Sequence, residues 1–228
     1  MTDEQYPPRP VRRRQAQLRR TPGTTGLLVA IAIGFLLAVL TGAWNDPLVL
    51  QHGAVIGDLV FQHGQYWRLL TAMFLHGNGT IQGTLLHLAL NGIALYQLGR
   101  LYELMFGTRR FLLVYFATGL LASLASAVVN RGASVGASGA IFGIVGAFLF
   151  SVWRSPRFRQ DRAARGIVNQ LIFWTVANIV IGSQIPQIDM SAHIGGLVAG
   201  MLLGAILPHK APPPPPPAQV VIDVEPRP

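Results

Sequence analysis

The chain has 228 residues, 51% hydrophobic and 12% charged, with a formal net charge of +9 and a mean hydropathy of +0.43. Soluble domains carry about 25% charged residues, so this balance excludes an ordinary water-soluble globule and marks a polytopic membrane protein, expected from its long apolar runs to be all-α. The lack of cysteine excludes disulfides, thiolate metal sites and thiol nucleophiles.

Residues 1–25 form a basic arm. The first apolar run begins near Thr25 with no short apolar stretch and cleavage site ahead of it, so it reads as a retained membrane span over 26–44 rather than a signal peptide. The next segment, NDPLVLQHGAVIGDLVFQHGQYWRLLTAMFLHGNG, has enough aromatic and aliphatic residues for the interface and too many polar ones to cross. It is expected to be a membrane-associated loop. Windows of about 20 apolar residues place five further spans at 80–99, 111–129, 138–153, 167–183 and 189–207, closing a membrane domain over 26–207. The tail, 208–228, contains six consecutive prolines, which favour polyproline II and cannot pack as a helix. It is expected to be disordered.

With the N-terminus in the cytoplasm, 16 of the 18 Lys and Arg residues fall on inside segments, and only Arg68 and Arg131 fall outside. The positive-inside rule therefore supports six spans with both ends cytoplasmic, and the expected location is the plasma (inner) membrane. The excess charge is accounted for by topology and anionic headgroups, and nucleic acid gains no separate support. Nothing in the sequence specifies an oligomeric state.

That topology gives depth. Counting up from the cytoplasmic ends at about 1.5 Å per residue, Ser138 lies about 24 Å above Arg154 and His193 about 22 Å above Pro208. His87 lies about 20 Å above Arg100, with Asn91 one turn lower. In a hydrocarbon core of about 30 Å, these four polar residues share one layer of the outer leaflet. Ionisable groups at such depth usually face a protein interior or a wet cavity. Small residues repeat every fourth position in two spans, as Gly139, Gly143 and Ala147 and as Ala192, Gly196, Gly200 and Gly204, which permits close backbone approach. If those faces meet, Ser138 and His193 could come within hydrogen-bond reach, as a nucleophile and its general base require. Alone, either residue would be read as packing.

The segments GASGAIFG at 136–143, AHIGG at 192–196, HLALN at 87–91 and YWRLL at 66–70 together resemble the rhomboid family of intramembrane serine proteases, across roughly residues 44–207. The resemblance implies a six-span bundle with a membrane-associated first external loop. It implies Ser138 as nucleophile and His193 as general base, a dyad without a third acid. Asp189, one turn above His193, reads instead as a solvated helix cap. The Ser138 backbone amide, His87 and Asn91 resemble the family's oxyanion hole. Gly136 would let the loop approach the scissile carbonyl, and Gly139 would leave no side chain over the nucleophile. Phe142 matches the aromatic placed against the catalytic histidine, although ordinary packing suits it equally. Trp67 and Arg68 resemble a structural pair in the first loop, the arginine satisfying carbonyls. Glu103 and Gly107, in GRLYELMFG, resemble a fold-stabilising ExxxG. The stretch GNGTIQGTLL at 77–86 is longer than the usual spacing and leaves His76 without an assigned role.

The function so implied is that of a serine endopeptidase needing no metal or cofactor. Its partners would be the bilayer and another protein's transmembrane helix, cut near its outer end where Gly or Pro frees a carbonyl. A non-catalytic helix-binding member of the same fold would lack the serine or the histidine, and both are present. A small transporter with His87 and His193 on a solute path would show inverted repeats, and no clear repeat is found.

Overall fold

A computed structural model describes residues 20–40, 52–77, 80–130, 132–156 and 160–207. Most of the basic arm, the proline-rich tail, Arg131, and Asn78 and Gly79 of the long stretch before His87 lie outside the described residues. The expected spans appear as helices with shifted ends: α1 (Pro22–Leu40), then, after two short loop helices α2 (Gly57–Phe61) and α3 (Arg68–Thr71), α4 (Ile81–Ala94) and α5 (Arg100–Phe106), α6 (Thr108–Val129), α7 (Ser138–Arg154), α8 (Arg162–Gly182) and α9 (Met190–Ile206). The span expected at 80–99 runs on to Phe106, because a π turn, Leu95–Gly99, joins α4 to α5 without a break. The first helix begins four residues earlier than expected: Pro22 opens it, where a fixed φ and a missing N–H suit the first helical position.

Pro22–Leu40, Thr108–Val129 and Ala164–Gly182 are each long and apolar enough to cross a membrane. The helices α7 and α9 are apolar and 17 residues long, or about 25 Å. The outward faces of α1, α8 and α9 are apolar too: Leu36, Leu37, Phe173, Trp174, Leu202 and Ile206 are all exposed. A surface of this kind is stable when the solvent is lipid. The chain is an integral, multi-pass membrane protein.

Inside, Leu27 and Ile31 of α1, Leu95, Tyr102, Phe111, Tyr115, Ile144 and Phe148 form one packed core. The start of α1 is tied to α5 by Glu103, whose carboxylate accepts from the Gly23 N–H (2.9 Å), the Thr24 N–H (2.8 Å) and the Thr24 hydroxyl (2.7 Å). The first N–H groups of a helix have no partner within it, and a carboxylate there also faces the positive end of the helix dipole. Thr108 donates to the same carboxylate at 2.7 Å. Between α5 and α6 the chain turns at Gly107, with φ +84°, a value that L side chains rarely adopt.

The small-residue stripes do meet, with a twist the spacing alone does not give. Methyl groups at Gly196 and Gly200 would overlap the carbonyl oxygens of Gly139 and Gly143, and one at Gly204 would stand 2.9 Å from that of Ala147. The α9 stripe therefore rests on the α7 backbone. The missing side chains of Gly139 and Gly143 point elsewhere, at Ala122 (2.6 Å) and Thr118 of α6, so α7 is pressed between two neighbours.

The first loop packs over this bundle. Val55 pairs with Ser134 through two 2.9 Å backbone bonds, and Thr71 donates to the Gly53 carbonyl at 2.8 Å. Arg68, buried at 4% exposure, donates to the Ala54 carbonyl (2.9 Å) and to Gln65 (2.6 Å). Trp67 beside it is exposed.

Candidate active site

Ser138 is the first residue of α7, and His193 sits in the first turn of α9. The glycine contacts bring these helix starts together, and the Ser138 hydroxyl lies 2.8 Å from His193 Nε2. Phe142, one turn along α7, stacks on the imidazole with ring centroids 4.4 Å apart and planes 10° from parallel. The ring is thus held by a face contact and an edge contact. If the neutral ring carries its proton on Nδ1, Nε2 accepts from the hydroxyl; Nδ1 itself is buried and has no hydrogen-bond partner among the described residues.

Gly136 lies in the loop before α7 with φ +125°, and its N–H donates to the Ala72 carbonyl of the first loop at 2.9 Å. A methyl group there would stand 2.8 Å from His87 Nε2 and 3.8 Å from the Ser138 oxygen. Loop backbone, imidazole and hydroxyl therefore converge on one point. A methyl group at Gly139 would stand 2.6 Å from the Ala122 side chain and 3.4 Å from the Ala192 carbonyl oxygen.

On α4, His87 and Asn91 are one turn apart. Asn91 is buried, and one of its amide hydrogens goes to the His87 carbonyl at 2.9 Å, leaving the second. His87 Nδ1 is 3.4 Å from the Gly77 carbonyl. His76, left without a role in the sequence, is buried and meets the His87 ring edge-on at 5.1 Å.

A cavity of about 470 Å³ is lined by Ser138, His193, His87, Asn91, Gly136 and Phe142. Its rim includes Asn130 and Gly132 after α6 and Ile185–Ile188 before α9. Trp67, Arg68, Glu103 and Gly107 do not line it; Arg68 ties down the first loop and Glu103 the start of α1. Asp189 caps α9, as expected. It is not a freely solvated cap: its carboxylate is also bound by Ser126 and Asn130 at the end of α6. Those two residues escaped the reading of the sequence, although a serine and an asparagine four apart at the end of an apolar span are a visible polar stripe.

Fold and site together define an α-helical membrane protein with a serine–histidine pair facing a cavity between its spans. The family model described as the rhomboid domain matches residues 63–210, and this chain belongs to the rhomboid family. Rhomboid protease GluP of Bacillus subtilis (strain 168) is 38% identical over 188 residues, 82% of this chain and 35% of its own length. RHOMBOID-like protein 5 of Arabidopsis thaliana is 35% identical over 164 residues, 71% of this chain and 50% of its own. YdcA of B. subtilis is 32% identical over 200 residues, 86% of this chain and 94% of its own. The chain thus spans between a third and a half of the first two relatives.

Proposed function

We propose that this chain is an intramembrane serine endopeptidase that cuts a peptide bond near the outer end of a substrate transmembrane helix. The 2.8 Å contact between the Ser138 hydroxyl and His193 Nε2, between two helices joined backbone to backbone, carries the reading. An unassisted serine hydroxyl is a poor nucleophile and needs a base within about 2.6–3.2 Å.

His193 Nε2 takes the hydroxyl proton as the Ser138 oxygen attacks the scissile carbonyl carbon. The carbonyl π pair moves to its oxygen, which becomes an oxyanion. Donors for it are the Ser138 N–H, left free at a helix start, the second amide hydrogen of Asn91, and His87 Nε2–H. Donation from His87 Nε2 requires the tautomer in which Nδ1 gives up its 3.4 Å bond to the Gly77 carbonyl. Collapse of the intermediate expels the amine, which leaves with the proton held on Nε2. Water then attacks the acyl-enzyme, giving its proton to His193, and the serine departs with it. The cavity rim, formed by the loops before α7 and α9, lies on the outer side in the topology with both termini cytoplasmic, and this supports entry of water from outside.

The test is reaction of the detergent-solubilised protein with a fluorophosphonate probe. Wild type is expected to label and Ser138→Ala not to. Equal labelling of both overturns the reading.

A further inference from the structure

Backbone-on-backbone packing leaves a problem that the dyad contact does not solve. The α7–α9 contact repeats every four residues on both sides: Gly196 rests on the Gly139 carbonyl, Gly200 on Gly143 and Gly204 on Ala147. A slide of α9 by four residues, about 6 Å, that brings Gly200 to Gly139 and Gly204 to Gly143 puts glycine back on carbonyl at both steps. Such a seam sets the distance between the helices and leaves their register nearly degenerate. The dyad tolerates no such slide, since a misplacement of about 1 Å can cost roughly 100-fold in rate.

The register is set elsewhere. Asp189, the N-cap of α9, uses both carboxylate oxygens. Oδ1 accepts from the Ala192 N–H at 3.1 Å and from the Ser191 hydroxyl. Oδ2 accepts from the Ser126 hydroxyl at 2.5 Å and from the Asn130 amide at 3.2 Å. One oxygen thus closes the first turn of its own helix, and the other grips the last turns of α6. Ser126 is almost wholly buried, at 1% exposure, so this grip lies inside the bundle. The His193 N–H is bonded to the Asp189 carbonyl at 3.3 Å, which places the imidazole one turn from the anchor. The carboxylate does not bond the imidazole, whose Nδ1 has no partner among the described residues.

We infer that Asp189 is a positioning residue that, through Ser126, locks the axial register of α9 so that His193 meets Ser138. The inference rests on the protease reading above. A carboxylate suits the task because it accepts on both oxygens, whereas an amide offers a single acceptor oxygen.

The experiment separates cap from lock. Asp189→Ser keeps a good N-cap and loses the cross-helix bond, while Ser126→Ala removes the bond from the other side and leaves the cap. Each is expected to slow fluorophosphonate labelling of Ser138 by about 100-fold and to lower kcat with KM little changed. The double variant should be no slower than Asp189→Ser alone, because the bond from Ser126 is already lost in that variant. Labelling at the wild-type rate in both single variants, or losses that multiply in the double, would overturn the lock. Melting temperatures of the same four proteins give a readout independent of chemistry: non-additive shifts are expected, and strictly additive shifts overturn the inference. Failure of the protease reading looks different, since the wild type itself would then label no faster than Ser138→Ala.

Discussion

Gly136 concentrates two demands in one residue. Its φ of +125° disfavours any side chain, at a cost of about 1–3 kcal/mol, and a methyl group would press on His87 Nε2 at 2.8 Å. Gly136→Ala is therefore expected to lower the melting temperature in detergent and to abolish turnover even where the protein remains folded. Full activity in that variant would show that the loop can retreat from the site. For Asn91→Ala we expect turnover to fall by a factor of about 10²–10³, the usual effect of losing one oxyanion donor. The Ser138 amide and His87 would remain. An unchanged kcat removes Asn91 from the oxyanion site. These candidates were legible in the sequence because the chemistry needs residue types that are rare in an apolar span, at depths that can be counted. The bond that joins Asp189 to Ser126 was not, since a contact between residues 63 positions apart leaves no local trace of the pairing.

At the scale of the helix, the stripes of Gly and Ala announced close contact but not its direction. Glycine has no side chain to mark which neighbour it faces, and α7 turns Gly139 and Gly143 toward α6 while offering its carbonyls to α9. Gly200→Leu is expected to separate α7 from α9, abolishing labelling of Ser138 while the more remote contact between Glu103 and α1 persists. Retention of wild-type labelling would mean that the seam does not carry the dyad. Glu103→Ala makes the complementary change. It strands the N–H groups of Gly23 and Thr24, each a loss of about 1–3 kcal/mol when buried, so a marked fall in melting temperature is expected. A melting point equal to wild type would show that α1 is held by its apolar face alone.

For the molecule as a whole, the proposed topology places the loop before α8 in the cytoplasm and the loop before α9 outside. The chain contains no cysteine, so a single introduced thiol reports its own side. Arg162→Cys should react with a membrane-impermeant maleimide only after the cells are opened, and Gln184→Cys on intact cells. The reverse pattern would turn the cavity toward the cytoplasm. The apolar helices were readable from apolar length, whereas the full extent of the second one was hidden by its π turn. That turn has a consequence for inheritance as much as for shape. A π turn houses one residue more than the ladder around it needs, and each residue of an α-helix advances the phase by about 100°. Outward of Leu95–Gly99 the helix aims His87 and Asn91 into the cavity, and inward of it Glu103 toward α1. Deleting a single codon in this stretch would restore a regular helix and swing one half against the other, so that one end of the protein keeps its address only by misdirecting the other.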